Sequence, residues 1–433
     1  MRALNHTYPT DPSLAHRAGT VRLRLTGPDG APLARTEVEV AQVRHAVEFA
    51  CITPGFVGSV ESTATELPGQ PSNQAREVRP GGAPDPQVAR FWLDLFDTAT
   101  LPFYWGAFEP VEGQPRTALL REVAEWCRAN NVRTKGHPLV WHTVQPRWLK
   151  AYSNEEVEQL QRARIRREVT EFAGLVDTWD AINEVVIMPV FDKDDNAITR
   201  LARDKGRLHM IRMAFEEARA ANPAVRLLLN DFDMSTAYEC LIEGVLEAGI
   251  EIDALGLQSH MHQGWWGEEK IADVLDRFGR YGIPMHFTEI TLLSGDLMPK
   301  HIVDLNDWQV SQWPSTPEGE ERQADELVRH YKALLAHPQV ESITYWGIED
   351  GGWLNAPGGL LRLDGSAKPA YHALRELVRG EWWLAPTATQ TDDDGVLEVT
   401  GWFGDYEVRR PGEQSGTAFR LEREAPAVDV ALV

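Results

Sequence analysis

Two glutamates, Glu184 and Glu289, each stand at the end of a short run of β-forming residues. The first run reads Thr-Trp-Asp-Ala-Ile-Asn-Glu and the second reads Pro-Met-His-Phe-Thr-Glu. Cleavage of a glycosidic bond with retention needs one carboxyl that donates a proton and a second that attacks carbon, about 5–5.5 Å apart. The pair predicts this chemistry if the fold brings the two strand ends together.

Short apolar runs alternate with amphipathic stretches through the middle of the chain, from residue 87 to residue 380. Helices are expected at 119–130, 154–174, 206–222 and 320–336. Strands are expected at 103–105, 133–139, 178–183, 226–230, 254–258, 285–288 and 342–346, with one more near the start. About eight strands that alternate with helices predict an α/β fold, the (β/α)8 or TIM barrel.

Strand-like alternation also occurs at both ends of the chain, in residues 1–60 and 381–433. The turn Gly-Pro-Asp-Gly at 27–30 lies between two alternating runs and predicts a β-hairpin. Each terminal segment is too small to be stable alone, so together they are expected to form one accessory β-sandwich around an inserted barrel. Residues 61–86 are rich in Gly, Pro, Ser and Thr and are predicted to be a long loop.

The composition is that of an ordinary globular chain with a strong acidic balance, a formal net charge of −22. This charge argues against nucleic acid or an anionic membrane surface as a partner. Three scattered cysteines predict neither a disulfide framework nor a zinc knuckle, and no cofactor is expected. The start lacks an apolar leader, which favours a cytoplasmic protein, although a secreted protein without its leader would look the same.

Polar and aromatic side chains cluster where the predicted barrel strands end. Active sites of (β/α)8 barrels lie on that face, built from the loops that follow the strands. For Asp231 and Asp350 a capping role on the following helix is an alternative. Besides these two and the two glutamates, the cluster comprises His137, His142, Asn183, Asn230, Gln258, His260 and Trp346.

Six short motifs, in order along residues 91–377, resemble glycoside hydrolase family ten, the xylanase-type retaining β-glycosidases. They are Lys-Gly-His-Pro-Leu-Val-Trp-His at 135–142 with Gln-Pro-Arg-Trp at 145–148, Trp-Asp-Ala-Ile-Asn-Glu at 179–184, Asn-Asp-Phe at 230–232, Gln-Ser-His at 258–260, Thr-Glu at 288–289, and Trp-Gly-Ile-Glu-Asp at 346–350 followed by Trp353. The resemblance implies that Glu184 is the general acid/base and Glu289 the nucleophile. It also implies a β-linked, xylan-type oligosaccharide or polysaccharide as substrate.

The same resemblance assigns further roles around the two carboxyls. Asn183, Gln258 and His260 are expected to support them, with His260 bonded to Glu289. Sugar contacts are expected from His137, Trp141, His142, Asn230, Trp346 and Trp353. A purely supporting role remains an alternative for His137 and His260, as does a partial core role for Trp141 and Trp353.

Two positions depart from the family pattern. Where the family carries a Glu-Asn pair and a nearby Lys that bind the sugar, this chain has Phe103, Tyr104 and Trp105. Tyr104 and Trp105 are expected to bind substrate in their place, and the loss of polar partners should change which sugar is recognised. After the nucleophile, Thr291 replaces the usual Asp, and its hydroxyl is expected to take over the hydrogen bond to His260.

Residues 294–321, which carry Trp308 and Trp313, are unusually long for a loop between a barrel strand and its helix. Such a loop is expected to narrow the cleft and to favour short or decorated glycans. An exo-acting or oligosaccharide-specific β-glycosidase is therefore an alternative to a xylanase. A non-catalytic carbohydrate-binding protein and a metal-dependent hydrolase built on His260 and His262 are alternatives from other classes. The sequence leaves the sugar, the linkage and the oligomeric state open.

Overall fold

The computed structural model describes Pro9 and residues 11–53, 84–423 and 427–432. Its strands, numbered in chain order, are β1 (Ala18–Thr26), β2 (Glu37–His45), β3 (Glu48–Ile52), β4 (Thr98–Pro102), β5 (Arg133–His137), β6 (Thr178–Asn183), β7 (Arg226–Asp231), β8 (Ala254–His260), β9 (Met285–Thr291), β10 (Val340–Tyr345), β11 (Thr387–Gln390), β12 (Val396–Trp402), β13 (Gly404–Arg409), β14 (Thr417–Leu421) and β15 (Val428–Ala431). Strands β3 to β10 close into a parallel barrel in the order of the chain, with β10 paired to β3.

Helices follow the barrel strands and cover the outside of the barrel. The α-helices are Pro86–Leu95, Trp105–Phe108, Thr117–Ala129, Asn154–Glu171, Ala197–Lys205, Arg207–Ala221, Thr236–Glu247, Gly267–Gly279, Pro317–Leu335 and Pro369–Glu376. Short 3-10 turns lie at Pro12–Arg17, Arg147–Ala151, Met188–Val190, Leu305–Asp307 and Trp353–Asn355, and a π-helical turn lies at Leu377–Glu381. This architecture confirms the predicted (β/α)8 barrel.

Local sequence signals fix where several of these helices begin. Ser153 and Glu156 form a capping box at the start of the helix Asn154–Glu171, so two backbone N–H groups at that end have partners. The helix Pro317–Leu335 begins after Thr316, whose side chain accepts from the N–H of Gly319, and has Pro in its first turn. In the described residues, no helix combines the length and apolarity needed to cross a membrane.

The second barrel strand is not where the sequence predicts it. The composition of the aromatic run 103–105 predicts a strand, but β4 ends at Pro102, which lies beside His137 of β5. Phe103 is fully buried and packs its ring against Trp179, with ring centroids 4.6 Å apart. The aromatic side chains thus fill the core just beyond the strand, and a short helix begins at Trp105.

The terminal segments form two sheets, β12-β1-β15 and β11-β2-β13-β14, which confirms the predicted accessory β-sheet unit. Their facing apolar side chains make one buried cluster, with Val21 and Leu23 of β1 packed together with Val38 and Val40 of β2. Both sheets combine strands from the two ends of the chain. The boundary predicted at residue 60 is too late, because β3 already belongs to the barrel and supplies its strand near the start.

The predicted hairpin in this region is wrong. Strand β1 pairs with β12 and β15, whereas β2 pairs with β11 and β13. The turn itself is present, since the N–H of Gly30 donates to the carbonyl of Gly27 at 2.9 Å. Residues 31–36 then carry the chain to the opposite sheet, so the two runs face each other across the core. Most of the predicted loop 61–86 lies outside the described residues, and the helix Pro86–Leu95 begins at its end.

Candidate active site

Three side-chain amides connect the two glutamates at the carboxyl ends of the barrel strands. The Asn183 Oδ1 atom accepts from Asn230 Nδ2 at 2.7 Å and from Gln258 Nε2 at 2.9 Å. Asn230 Nδ2 also donates to Glu289 Oε1 at 3.0 Å. Gln258 Nε2 donates to Glu184 Oε1 at 3.2 Å. The fold therefore brings the five residues into one hydrogen-bonded network.

The backbone around this network is shaped to aim the side chains. Glu184 has a φ of 55°, a left-handed conformation that is strained for a residue with a side chain. Its N–H donates to the carbonyl of Asn230 at 2.9 Å, which holds that conformation. Gly256 of the neighbouring strand leaves room for Asn230, because an added Cβ would lie 2.3 Å from Asn230 Oδ1.

Glu184 is a half-buried residue whose carboxyl has an unusually high affinity for a proton. Burial raises its pKa to about 8, and the negative charges of Glu289 and Asp231 act in the same direction. Hydrogen bonds from Trp141 and Gln258 oppose the rise. A carboxyl that stays protonated at neutral pH can act as a general acid.

Glu289 has the opposite character. Burial alone would raise its pKa, but the nearby His137 and His260 outweigh burial and lower it. His260 Nε2 lies 3.0 Å from Glu289 Oε2, and His137 Nε2 lies 4.0 Å from Glu289 Oε1. The carboxylate therefore stays ionised while its partner in the network is protonated, as a nucleophile requires.

A buried ion pair positions His137. Asp180 Oδ2 lies 2.6 Å from His137 Nδ1 and 3.0 Å from Lys135 Nζ. Burial would raise the pKa of Asp180, but Lys135 and His137 reverse this and lower it. His137 is only 2% exposed, which fits a supporting position behind Glu289. The sequence predicts no role for Lys135 or Asp180, although two charged residues inside predicted strands are a signal for such a pair.

The predicted hydrogen bond between His260 and Thr291 is present. Thr291 Oγ1 lies 3.0 Å from His260 Nδ1, on the side of the ring away from Glu289. The hydroxyl thus occupies the position that an Asp fills in the resembled family, and His260 has partners on both ring nitrogens.

Aromatic rings surround the two carboxyls. The Trp141 Nε1–H donates to Glu184 Oε2 at 2.9 Å, and the Tyr104 ring lies 5.5 Å from the Trp141 ring. Trp346 lies against His137, with ring centroids 5.4 Å apart. Trp353 lies 4.7 Å from the ring of His260. Four of the predicted sugar-contacting rings therefore lie around the network.

Trp105 and His142 do not fit their predicted role in substrate binding. The Trp105 indole donates to Glu109 Oε2 at 3.0 Å, and the Arg164 guanidinium lies 5.1 Å from its ring. The short helix that begins at Trp105 turns this side chain into the core, where it is 5% exposed. His142 is 1% exposed, and burial lowers its pKa to about 3.

The two aspartates of the cluster hold loops in place. Asp231 Oδ2 accepts from the N–H of Val186 at 3.0 Å, which fixes the turn just after Glu184. Asp350 Oδ1 lies 2.6 Å from Lys368 Nζ, a fully buried ammonium, and its Oδ2 accepts from Ser315 at 3.2 Å. Neither acts as a simple cap of the next helix.

The loop after β9 extends from residue 292 to residue 316, close to the predicted limits. It reaches the aromatic wall of the site, since Asn306 Oδ1 accepts from Trp353 Nε1 at 3.1 Å. Trp313 packs near His262, with ring centroids 6.2 Å apart. His262 itself packs against Trp353.

The described part of the chain contains no group of three or more residues suited to hold a metal. The geometry gives no support to the metal-dependent alternative.

A (β/α)8 barrel with two linked glutamates at the ends of its fourth and seventh strands has the features of the barrel class of glycoside hydrolases. Comparison with known families narrows this class. Residues 102–377 match the model of glycosyl hydrolase family 10, and the chain belongs to that family.

Similar proteins agree with this assignment. Endo-1,4-beta-xylanase C of Paenibacillus barcinonensis is 25% identical over 337 residues, which are 68% of this chain and 30% of that protein. An endo-1,4-beta-xylanase/feruloyl esterase of Xylanibacter ruminicola is 26% identical over 66% of this chain and 42% of its own length. The chain thus spans less than half of these relatives. A solved family 10 structure from Paenibacillus barcinonensis shares the fold with a TM-score of 0.60, at 22% identity over 77% of this chain and 95% of that one.

Proposed function

We propose that the protein is a retaining glycoside hydrolase that cleaves β-1,4-linked, xylan-type glycans. The observation that carries this proposal is that the pKa values of two carboxyls in one hydrogen-bonded network are shifted in opposite directions. Glu184 has its pKa raised to about 8 and Glu289 has its pKa lowered, which separates an acid from a nucleophile. Family membership and the endo-β-1,4-xylanase names of the relatives support the substrate class.

In the first step, Glu289 attacks the anomeric carbon while Glu184 gives its proton to the leaving oxygen. The glycosidic bond breaks, and an ester bond forms between the sugar and Glu289. His260 and His137 stabilise the ionised nucleophile before the attack. Asn183 lies between the two carboxyls, where its amide is suited to bond the sugar hydroxyl next to the reacting carbon.

In the second step, Glu184 acts as a base and takes a proton from water, whose oxygen then attacks the anomeric carbon and releases Glu289. Burial is the largest cause of the raised pKa of Glu184, and the charge of Glu289 adds to it. Esterification removes that charge, so the pKa of Glu184 falls when the residue must become a base. The same pair of residues can therefore serve both steps.

Rates with aryl β-xyloside, β-xylobioside, β-glucoside and β-cellobioside, measured beside polymeric xylan, test the proposal. We expect activity on the xylose-based substrates and its loss in Glu289→Ala. Glu269→Ala, which alters an exposed glutamate on a helix, is the control and should retain wild-type rates. NMR of the first product should show a β-anomer. An inverted product, or equal loss in both variants, would refute the assignment of the nucleophile.

An exo-acting or oligosaccharide-specific β-glycosidase is the second candidate. It is favoured by the contact of the loop 292–316 with Trp353, and by Tyr104, which stands where the resembled family binds sugar with charged groups. The two candidates differ in the ratio of the rate on xylan to the rate on aryl β-xylobioside. A low ratio, with release of short products only, supports the second candidate.

A further inference from the structure

An ion pair joins the two loops that follow the proposed catalytic glutamates. Lys193, in the segment after Glu184, has its Nζ atom 2.8 Å from Asp304 Oδ2 and 2.5 Å from Asp307 Oδ1. Both aspartates belong to the loop 292–316, which follows Glu289. We call Lys193, Asp304 and Asp307 the strap.

The strap links two loops that are not neighbours around the barrel. Its two ends start from β6 and β9, which are three strands apart, with β7 and β8 between them. Loops of adjacent strands often touch, but a contact between these two requires them to reach past the loops of β7 and β8 at the carboxyl ends of the barrel strands. The proposed active site lies on that face.

The tip of the longer loop is also linked to the side of the site that holds the nucleophile. Asn306, between the two aspartates of the strap, accepts from Trp353 Nε1 at 3.1 Å. Trp353 lies 4.7 Å from the ring of His260, which in turn contacts Glu289. One loop tip therefore joins the nucleophile side to Lys193.

The segment of Lys193 is linked in the same way to the acid/base. Phe191 lies two residues before Lys193 and packs against His142, with ring centroids 4.6 Å apart. His142 adjoins Trp141, whose indole donates to Glu184. Lys193 thus connects the side of the site that holds Glu184 to the side that holds Glu289.

We infer that Lys193 is a specificity-determining residue that closes the mouth of the barrel to internal segments of a long glycan. This inference rests on the proposed function. A polymer cut internally must lie across both carboxyls with sugars on either side, and the strap obstructs that path. A short oligosaccharide or a free chain end can enter beneath the strap from one side.

The strap is exposed enough to open and close. Its side chains are 42% exposed at Lys193, 30% at Asp304 and 61% at Asp307. Ion pairs of this exposure are weak and are screened by salt. A higher salt concentration should therefore raise the activity of the wild-type protein on polymer relative to short substrates, because opening the strap frees the path for the glycan chain.

The experiment compares the xylan rate with the aryl β-xylobioside rate in wild type, Lys193→Ala and the double variant Asp304→Asn, Asp307→Asn. We expect this ratio to rise about two- to fivefold in both altered proteins, the range set by the loss of an exposed ion pair. Lys193→Arg keeps the charge and should stay near wild type. Lys150→Ala is the matched control, because Lys150 pairs with Asp194 at 4.0 Å outside the strap. Raising salt from about 0.05 M to about 0.5 M should increase the ratio in wild type but not in Lys193→Ala.

Hydrogen exchange gives a second readout that needs no substrate. Amides of residues 297–310 should exchange faster in Lys193→Ala than in wild type or Lys150→Ala. An unchanged ratio in an active protein, or unchanged exchange of that loop, would overturn the inference and leave the proposed function intact. Inactivity of the wild type on every substrate would instead refute the proposed function.

Discussion

The Trp141 indole donates its Nε1–H to Glu184 Oε2 at 2.9 Å. A donor favours the ionised form of a carboxyl, so this bond opposes the burial that raises the pKa of Glu184 to about 8. The aromatic side chain expected to contact sugar therefore also limits the rise in the pKa of the proposed acid.

Replacement of Trp141 by Phe should move the alkaline limb of the kcat/KM profile to higher pH. The wild-type limb is expected near pH 8, where Glu184 loses its proton. Removal of the indole N–H removes one stabilising partner of the carboxylate, so the proton is held more tightly. The acid limb, set by Glu289, should lie below the ordinary range of a glutamate in both proteins.

Trp148→Phe is the control for that profile, since its indole donates to the carbonyl of Glu109 and has no bond to Glu184. An alkaline limb that stays in place in Trp141→Phe, or that moves equally in Trp148→Phe, would show that the hydrogen bond does not tune Glu184.

Replacement of Glu184 by Gln should stabilise the protein at neutral and alkaline pH. The folded state holds the Glu184 proton up to about pH 8, whereas the unfolded chain releases it near the ordinary value of 4.5. The raised pKa favours the folded state at low pH, and this contribution is lost as pH rises from about 4.5 to about 8. Glutamine does not ionise, so the variant does not lose stability in this way.

Thermal unfolding at several pH values tests this expectation. The Tm of Glu184→Gln should exceed that of wild type by about a few degrees at pH 8, with little difference near pH 4. Catalysis on substrates with poor leaving groups should fall by about 10²–10⁴. A wild-type Tm equal to that of the variant across the whole range would contradict the raised proton affinity.

Much of the site is readable in the sequence because its residues follow strands directly. Asn183 ends β6 and Glu184 follows it, and Gln258 and His260 lie at the end of β8, so linear motifs specify which groups meet. The contact of Asn183 with Asn230 joins adjacent strands. Gln258 reaches Asn183 across β7, and Asn230 reaches Glu289 across β8. All of these contacts need only that the strands of the closed barrel keep their order and register. The hydrogen bond between His260 and Thr291 follows from the same rule.

Features that depend on contacts between residues far apart in the sequence could not be predicted. The run 103–105 has the composition of a strand, yet burial of Phe103 against Trp179 places it beyond β4. The predicted hairpin is wrong because β1 pairs with β12 and β15, which lie more than 350 residues further along the chain. Alternation reports which face of a strand is buried, and it does not report which strand lies alongside.

Tyr104 and Trp105 should respond differently to replacement by Ala, although they are neighbours in the sequence. Tyr104 faces His137 and Trp141, with ring centroids 5.6 and 5.5 Å apart, so its loss should raise KM and alter the preference between xylose- and glucose-based substrates. Trp105 lies in the core, and its loss should cost about 3–5 kcal/mol of stability with sugar preference retained. Urea unfolding and paired KM values would separate these effects. A change of sugar preference in Trp105→Ala alone would reverse the two assignments.

Thr291 acts on catalysis through the ring that it positions. Its hydroxyl lies 3.0 Å from His260 Nδ1, and the other ring nitrogen lies 3.0 Å from Glu289 Oε2. Thr291→Val keeps the shape but removes the hydrogen bond, so we expect kcat to fall by about two- to tenfold with KM little changed. Thr291→Ser restores a hydroxyl and should recover most of the rate, whereas a merely steric role would make Val the better replacement.

Thr291→Asp offers a stronger acceptor, which should hold His260 on Glu289 at least as firmly. Single-turnover rates of formation of the glycosyl–enzyme ester would place the effect at the nucleophile, and equal rates in Val and Ser would rule out this positioning role.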